Sequence, residues 1–138
     1  MSRVQLAINV DNLDEAITFY SRLFQTKPAK VRPGYANYTI NEPPLKLVLF
    51  ENPGEGGSIN HLGVEVETPE QVLEAEKRLS GCELATTGIE KTQCCYAEKT
   101  ETWVQSPDGI RWEWYVKHQD TEQFENIVVS VEEANKCC

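Results

Sequence analysis

The chain has 138 residues, 40% of them hydrophobic and 25% charged, with a formal net charge of −9. That length supports one compact domain, and no apolar run approaches the ~20 residues of a membrane-spanning helix, which excludes membrane insertion. The acidic balance disfavours nucleic acid and anionic lipid, both of which reward a basic surface, and favours a small neutral or thiophilic ligand.

The N-terminus enters an alternating stretch at once, without the apolar core of a secretory signal, so a cytoplasmic location is expected. Along that stretch Val4, Leu6, Ile8 and Val10 alternate with Gln5, Ala7 and Asn9, the period of a half-buried strand. Asp11 or Asn12 then caps a helix whose apolar stripe is Leu13, Ile17, Tyr20, Leu23 and Phe24. Strand-like stretches follow at about 27–32, 35–41 and 45–51, with turn residues at Arg32-Pro33-Gly34 and Asn41-Glu42-Pro43-Pro44. The link Asn52-Pro53-Gly54-Glu55-Gly56-Gly57 lacks the Gly-Lys-Ser/Thr of a phosphate-binding loop.

The same order then recurs, and residues 58–80 lie over residues 2–24 as strand, cap and helix. Leu62, Val64 and Val66 alternate with His61, Gly63 and Glu65; Thr68, Pro69 and Gln71 form a capping box; Val72, Ala75 and Leu79 make the helical stripe. Strands are predicted at 83–90, 100–106 and 110–117, with the turn Pro107-Asp108-Gly109 before the last. The fold class is therefore α+β, two βαβββ modules at about 2–52 and 58–117 forming one curved mixed sheet in a single domain of residues 1–117. Residues 118–138 read as a polar, loosely ordered tail ending in Cys137-Cys138, apart from the apolar run Ile127-Val128-Val129.

Gln5 and His61 occupy the same position in the two copies, on the strand face opposite the apolar one. In the last strand Glu113 stands among Trp112, Trp114 and Tyr115, a costly place for an unpaired carboxylate, so it needs a cation. An amide oxygen, a neutral imidazole and a carboxylate make a facial set of three ligands with open positions for substrate and oxygen, and iron(II) is the natural occupant. The bland alternative is a hydrogen-bonded core histidine at 61, with Glu113 paired to Arg111 or a lysine. Tyr115 shares the face of Glu113 as an accessory candidate, whereas His118 falls on the other face and is left out of the site.

These features resemble the vicinal oxygen chelate superfamily, which includes glyoxalases, extradiol dioxygenases and fosfomycin-resistance proteins. More narrowly, VQLAINVDNLDEAITFYSRLF, PGYANYTINEPPLKLVLFENPG, NHLGVEV and CCYAEKTETWVQSPDGIRWEWY are similar to the cadmium-induced protein group and its organoarsenical carbon–arsenic lyases. The resemblance implies an iron(II)-dependent dioxygenase that uses molecular oxygen to cleave trivalent methylarsenicals to arsenite, with trivalent aromatic arsenicals a further substrate class. It implies Gln5, His61 and Glu113 as metal ligands and Cys94 and Cys95 as the arsenic-binding pair. Two departures from the wider superfamily stand out. Gln5 replaces a more usual histidine, and the strand at 45–49 offers only Lys46 where four-ligand glyoxalases carry a carboxylate.

Soft thiolates suit the two exchangeable positions of a monomethylated trivalent arsenic. Adjacent cysteines on a regular strand point to opposite faces, so Cys94 and Cys95 are expected on a loop between Lys91 and Glu98. Their competing reading is a surface dithiol or vicinal disulfide. Cys137 and Cys138 either pass metalloid inward or are inert, and Cys82 is expected to be structural. Beside the lyase stand a cadmium- or arsenite-sequestering protein and a glyoxalase or thiol transferase. Monomer and homodimer both fit the sequence.

Overall fold

A computed structural model describes residues 2–94, 96–121 and 127–131, with Cys94 and 127–131 as backbone. The chain forms two compact units, Arg3–Leu62 and the residues from Gly63 onward.

The first unit contains β1 (Arg3–Val10), α1 (Leu13–Leu23), β2 (Lys30–Arg32), β3 (Tyr35–Ile40), β4 (Leu45–Glu51) and the beginning of β5 (Ile59–Glu65). Its strands lie in the order β2-β3-β4-β1-β5. Strand β1 runs parallel to β4 with Gln5 opposite Lys46, while β3 runs antiparallel to β4. A parallel pair needs a long crossover, which α1 and the β2–β3 hairpin supply. Asn12 is the helix cap, its Oδ1 accepting the Glu15 amide at 2.9 Å. Asp11 instead closes the inter-module link, one carboxylate oxygen accepting the Gly54 and Gly56 amides at 2.7 and 3.1 Å. A Cβ at Gly56 would lie 2.5–2.8 Å from that carboxylate, so a larger residue there would have to push the Asp11 side chain aside.

The core of this unit sits between α1 and one face of the strands, where Leu13, Ala36, Tyr38, Leu47 and Leu49 are buried against Ile17, Tyr20 and Phe24. Burying side chains of this size contributes about 1.5–3 kcal/mol each. Tyr38 keeps its hydroxyl satisfied by donating to the Ile17 carbonyl at 3.0 Å, which ties β3 to α1. Leu23, expected in the stripe, is 56% exposed, because it falls at the margin of the face defined by Leu13, Ile17, Tyr20 and Phe24.

The second unit holds the end of β5, α2 (Pro69–Gly81), β6 (Glu90–Cys94), β7 (Ala97–Gln105), β8 (Arg111–Asp120) and β9 (Ile127–Val131). Its order is β5-β8-β7-β6-β9, with β7 antiparallel to both β6 and β8. Helix α2 begins as read, with Thr68 and Gln71 closing a full capping box and Val72, Ala75 and Leu79 buried. Both modules thus have the expected βαβββ order.

Three readings are corrected in this unit. No strand covers 83–89; β6 starts at Glu90, after a segment that contains Glu83 in the left-handed region at φ 64°. The expected loop between Lys91 and Glu98 is a tight hairpin, since Cys94 ends β6 directly opposite Ala97 of β7 and Tyr96 has φ 65°. Within the stretch expected to be a loosely ordered tail, β8 continues through His118 to Asp120 and Ile127–Val131 forms β9 antiparallel to β6. Cys95, Cys137 and Cys138 lie outside the described residues.

Candidate metal centre

Gln5 and His61 belong to the first unit, each the third residue of its strand, with exposures of 4% and 3%. The face they occupy is the one turned from α1, as alternation requires. His61 is held by a chain of amides. Its Nδ1 lies 2.8 Å from Asn60 Oδ1, Asn60 Nδ2 donates to Asn9 Oδ1 at 3.0 Å, and Asn9 Nδ2 donates to Ser58 Oγ at 2.9 Å. Asn52 Nδ2 also donates to Asn9 Oδ1, at 2.7 Å. Because Asn9 Oδ1 already receives two N–H groups, Asn60 presents its carbonyl oxygen to the ring. The imidazole therefore carries its proton on Nδ1 and its lone pair on Nε2, the arrangement of a metal-ligating histidine.

Glu113 belongs to the second unit, in the middle of β8 and wholly buried. The Lys99 ammonium donates to its Oε2 at 2.7 Å and lies 3.8 Å from Glu101 Oε1. Alternation along β7 puts Lys99, Glu101 and Trp103 on one face, and Trp103 is directly opposite Glu113. Glu101 accepts from Thr92 Oγ1 at 2.7 Å and from the Trp103 indole N–H. Burial pushes the Glu101 carboxyl up to about 7, with Lys99 pulling it down and Glu113 pushing it further up. Tyr115 stands beneath the same ammonium, its ring centroid 5.2 Å from Nζ and its hydroxyl 3.4 Å from Glu65 Oε2. A cavity of about 550 Å³ adjoins this cluster, walled by Leu84, Thr87, Trp103, Arg111 and Trp112.

The lysine partner anticipated as the alternative for Glu113 is therefore present, and it is Lys99. The ammonium supplies the counter-charge that a carboxylate buried this deeply needs. Among the described residues no three His, Cys, Asp or Glu side chains are grouped for a metal. An imidazole Nε2 and a carboxylate are each donors that suit a borderline divalent ion. His118 Nε2 lies 2.7 Å from Thr100 Oγ1. Cys94 is the terminal residue of β6, and Cys82 is exposed at the C-cap of α2.

Sequence reading missed Asn60, Asn9, Lys99 and Glu101. The Asn-His pair at the head of β5 was a visible signal for the brace. So was the alternation of Lys99, Glu101 and Trp103, once β7 is taken to begin at Ala97.

Duplicated βαβββ modules with buried polar donors on their strands define a class of proteins that chelate a metal on a strand-built platform. The chain belongs to the Glyoxalase/Bleomycin resistance protein/Dioxygenase superfamily, whose sequence profile matches residues 3–114. It is 52% identical over 142 aligned positions to the cadmium-induced protein CadI of Mycobacterium tuberculosis, covering 100% of this chain and 93% of that one. It is 54% identical over 123 positions to the trivalent organoarsenical cleaving enzyme of Thermomonospora curvata, covering 88% and 82% respectively. Among solved structures, the Mn(II)-bound glyoxalase from Novosphingobium aromaticivorans shares the fold, with a TM-score of 0.59 at 13% identity over 91% of this chain and 43% of that one. Among the described residues, no helix is long and apolar enough to cross a membrane.

Proposed function

We propose that this protein is an iron(II)-dependent dioxygenase that cleaves the carbon–arsenic bond of trivalent organoarsenicals and releases arsenite. The observation that carries the metal half of this reading is the brace on His61, which fixes the lone pair on Nε2. The substrate class is supported by the name of the relative from Thermomonospora curvata. In this reading Gln5 Oε1, His61 Nε2 and a Glu113 carboxylate oxygen hold the metal, and Cys94 and Cys95 hold arsenic as thiolates.

Iron(II) supplies the one-electron chemistry that lets molecular oxygen react with a closed-shell substrate. The protein's own part is positioning. Two thiolates fix arsenic at two of its three valences and leave the organic group as the third. Turning that bond toward the ligand set makes an otherwise bimolecular encounter intramolecular. Tyr115, buried on the strand face that carries Glu113, lies under the Lys99 ammonium.

The test supplies purified protein with iron(II) and methylarsonous acid, with and without oxygen, and measures arsenite by chromatography. Arsenite is expected only with oxygen and is lost in His61→Ala and Glu113→Ala; release without oxygen overturns the mechanism. The cadmium-induced relative favours a second reading, stoichiometric sequestration of cadmium or arsenite by the cysteines. In that case Glu113→Ala retains both binding and protection.

A further inference from the structure

We propose that Lys99 is the incumbent cation of Glu113, a positioning residue that a divalent metal must displace and that thereby sets the metal affinity of the site. The inference rests on the assignment of Glu113 as a metal ligand made above. Nζ sits 2.7 Å from Glu113 Oε2, with both side chains almost wholly buried. An isolated carboxylate at that depth is prohibitively costly, so the resting protein needs a counter-charge before any metal arrives. The ammonium supplies it. A divalent ion taking Glu113 Oε2 would compete with the ammonium for that oxygen and repel it at this separation.

The displaced charge has somewhere to go. Glu101 Oε1 is already 3.8 Å from Nζ, and the Glu101 carboxyl is fixed by Thr92 and Trp103 rather than by the lysine. A shift of Nζ by about an ångström would convert that 3.8 Å approach into a hydrogen bond of ordinary length. Lys99 Nζ also lies over the Tyr115 ring, 5.2 Å from its centroid. Metal uptake thus exchanges one cation for another at Glu113 and moves the Lys99 ammonium toward the Glu101 carboxyl.

The experiment titrates metal-free protein with Mn(II) and follows the loss of the free-ion electron paramagnetic resonance signal, with near-ultraviolet circular dichroism as a check on folding. Lys99→Met removes the competitor and is expected to bind Mn(II) at least 10-fold tighter than wild type. Lys99→Arg keeps the charge but grips a carboxylate through two N–H groups, so it should bind at least 3-fold more weakly. A purely through-space effect leaves Lys99→Arg at the wild-type value, and that result overturns displacement. Should Lys99→Met fail to fold, Lys99→Gln provides the neutral comparison, and Glu101→Gln, which weakens the alternative seat, is expected to lower affinity. Unchanged or weaker binding in the neutral variants overturns the proposal while leaving the metal ligands in place. Failure of the ligand assignment is read separately, as Mn(II) binding in wild type that survives Glu113→Gln or as no binding in any variant, and this also overturns the role given to Lys99.

Discussion

An imidazole can offer Nε2 to a metal only while Nδ1 keeps the proton, and in this chain two asparagines decide where that proton sits. Asn60 accepts it, and Asn9 orients Asn60. Removing such an outer hydrogen bond ordinarily costs 10–100-fold in metal affinity. Asn60→Ala is expected to weaken Mn(II) binding by that factor in the same titration, with the circular dichroism spectrum unchanged; wild-type affinity would show that the brace is irrelevant to the metal. At this scale the sequence was legible where a residue had one plausible task. His61 and Gln5 stood out because two strands placed them in equivalent positions. Asn60 was overlooked because an asparagine beside a strand histidine has many ordinary uses, and only the direction of its amide reveals this one.

Helix α2 shows what a sequence states unambiguously. Thr68, Pro69 and Gln71 announce its start, and Val72, Ala75 and Leu79 announce its buried face, because capping and a 3.6-residue period are local properties. Thr68→Ala is expected to lower stability by about 1 kcal/mol, read as a lower urea midpoint with an unchanged slope. Strands β6 and β7 show the opposite case. Glu90, Thr92, Lys99 and Glu101 are all buried, so the alternation that marks a strand exists there in position but not in hydrophobicity. A reading based on apolar period sees a polar segment, so nothing opposed the loop expected from the adjacent Cys94 and Cys95, where β6 and β7 form a hairpin. Strand β9 was hidden for a related reason: five residues are too few to distinguish a paired edge from an apolar interruption, and its partner is β6, itself unrecognised.

For the molecule as a whole, the buried Glu101 makes stability depend on pH in the direction opposite to most carboxylates. Its carboxyl titrates near 7 when folded and near 4.5 in its ordinary state. Below the lower value both states hold the proton. Between the two, the unfolded chain ionises while the folded one keeps its proton, so stability falls as pH rises through this window and levels off above about 7. The loss attributable to this residue is of order 3 kcal/mol. Urea unfolding of wild type and Glu101→Gln at pH 5 and pH 7.5 should show the wild type losing more stability between the two conditions than the variant. Parallel behaviour would mean that Glu101 ionises normally. The net charge of −9 gives no hint of this, since bulk charge counts groups without knowing which are buried.

The brace on His61 also separates two halves that otherwise match. Where the second copy of the repeat has Asn60 ahead of its donor, the first has Val4 ahead of Gln5, and Val4 is half exposed. A carboxamide has no tautomers to choose between and works beside a valine, whereas a ring grafted there would divide its population between two protonation patterns. Repetition of the same element order is thus not interchangeability of the halves: the asparagine that fixes a ring's proton stands before His61 and has no counterpart before Gln5.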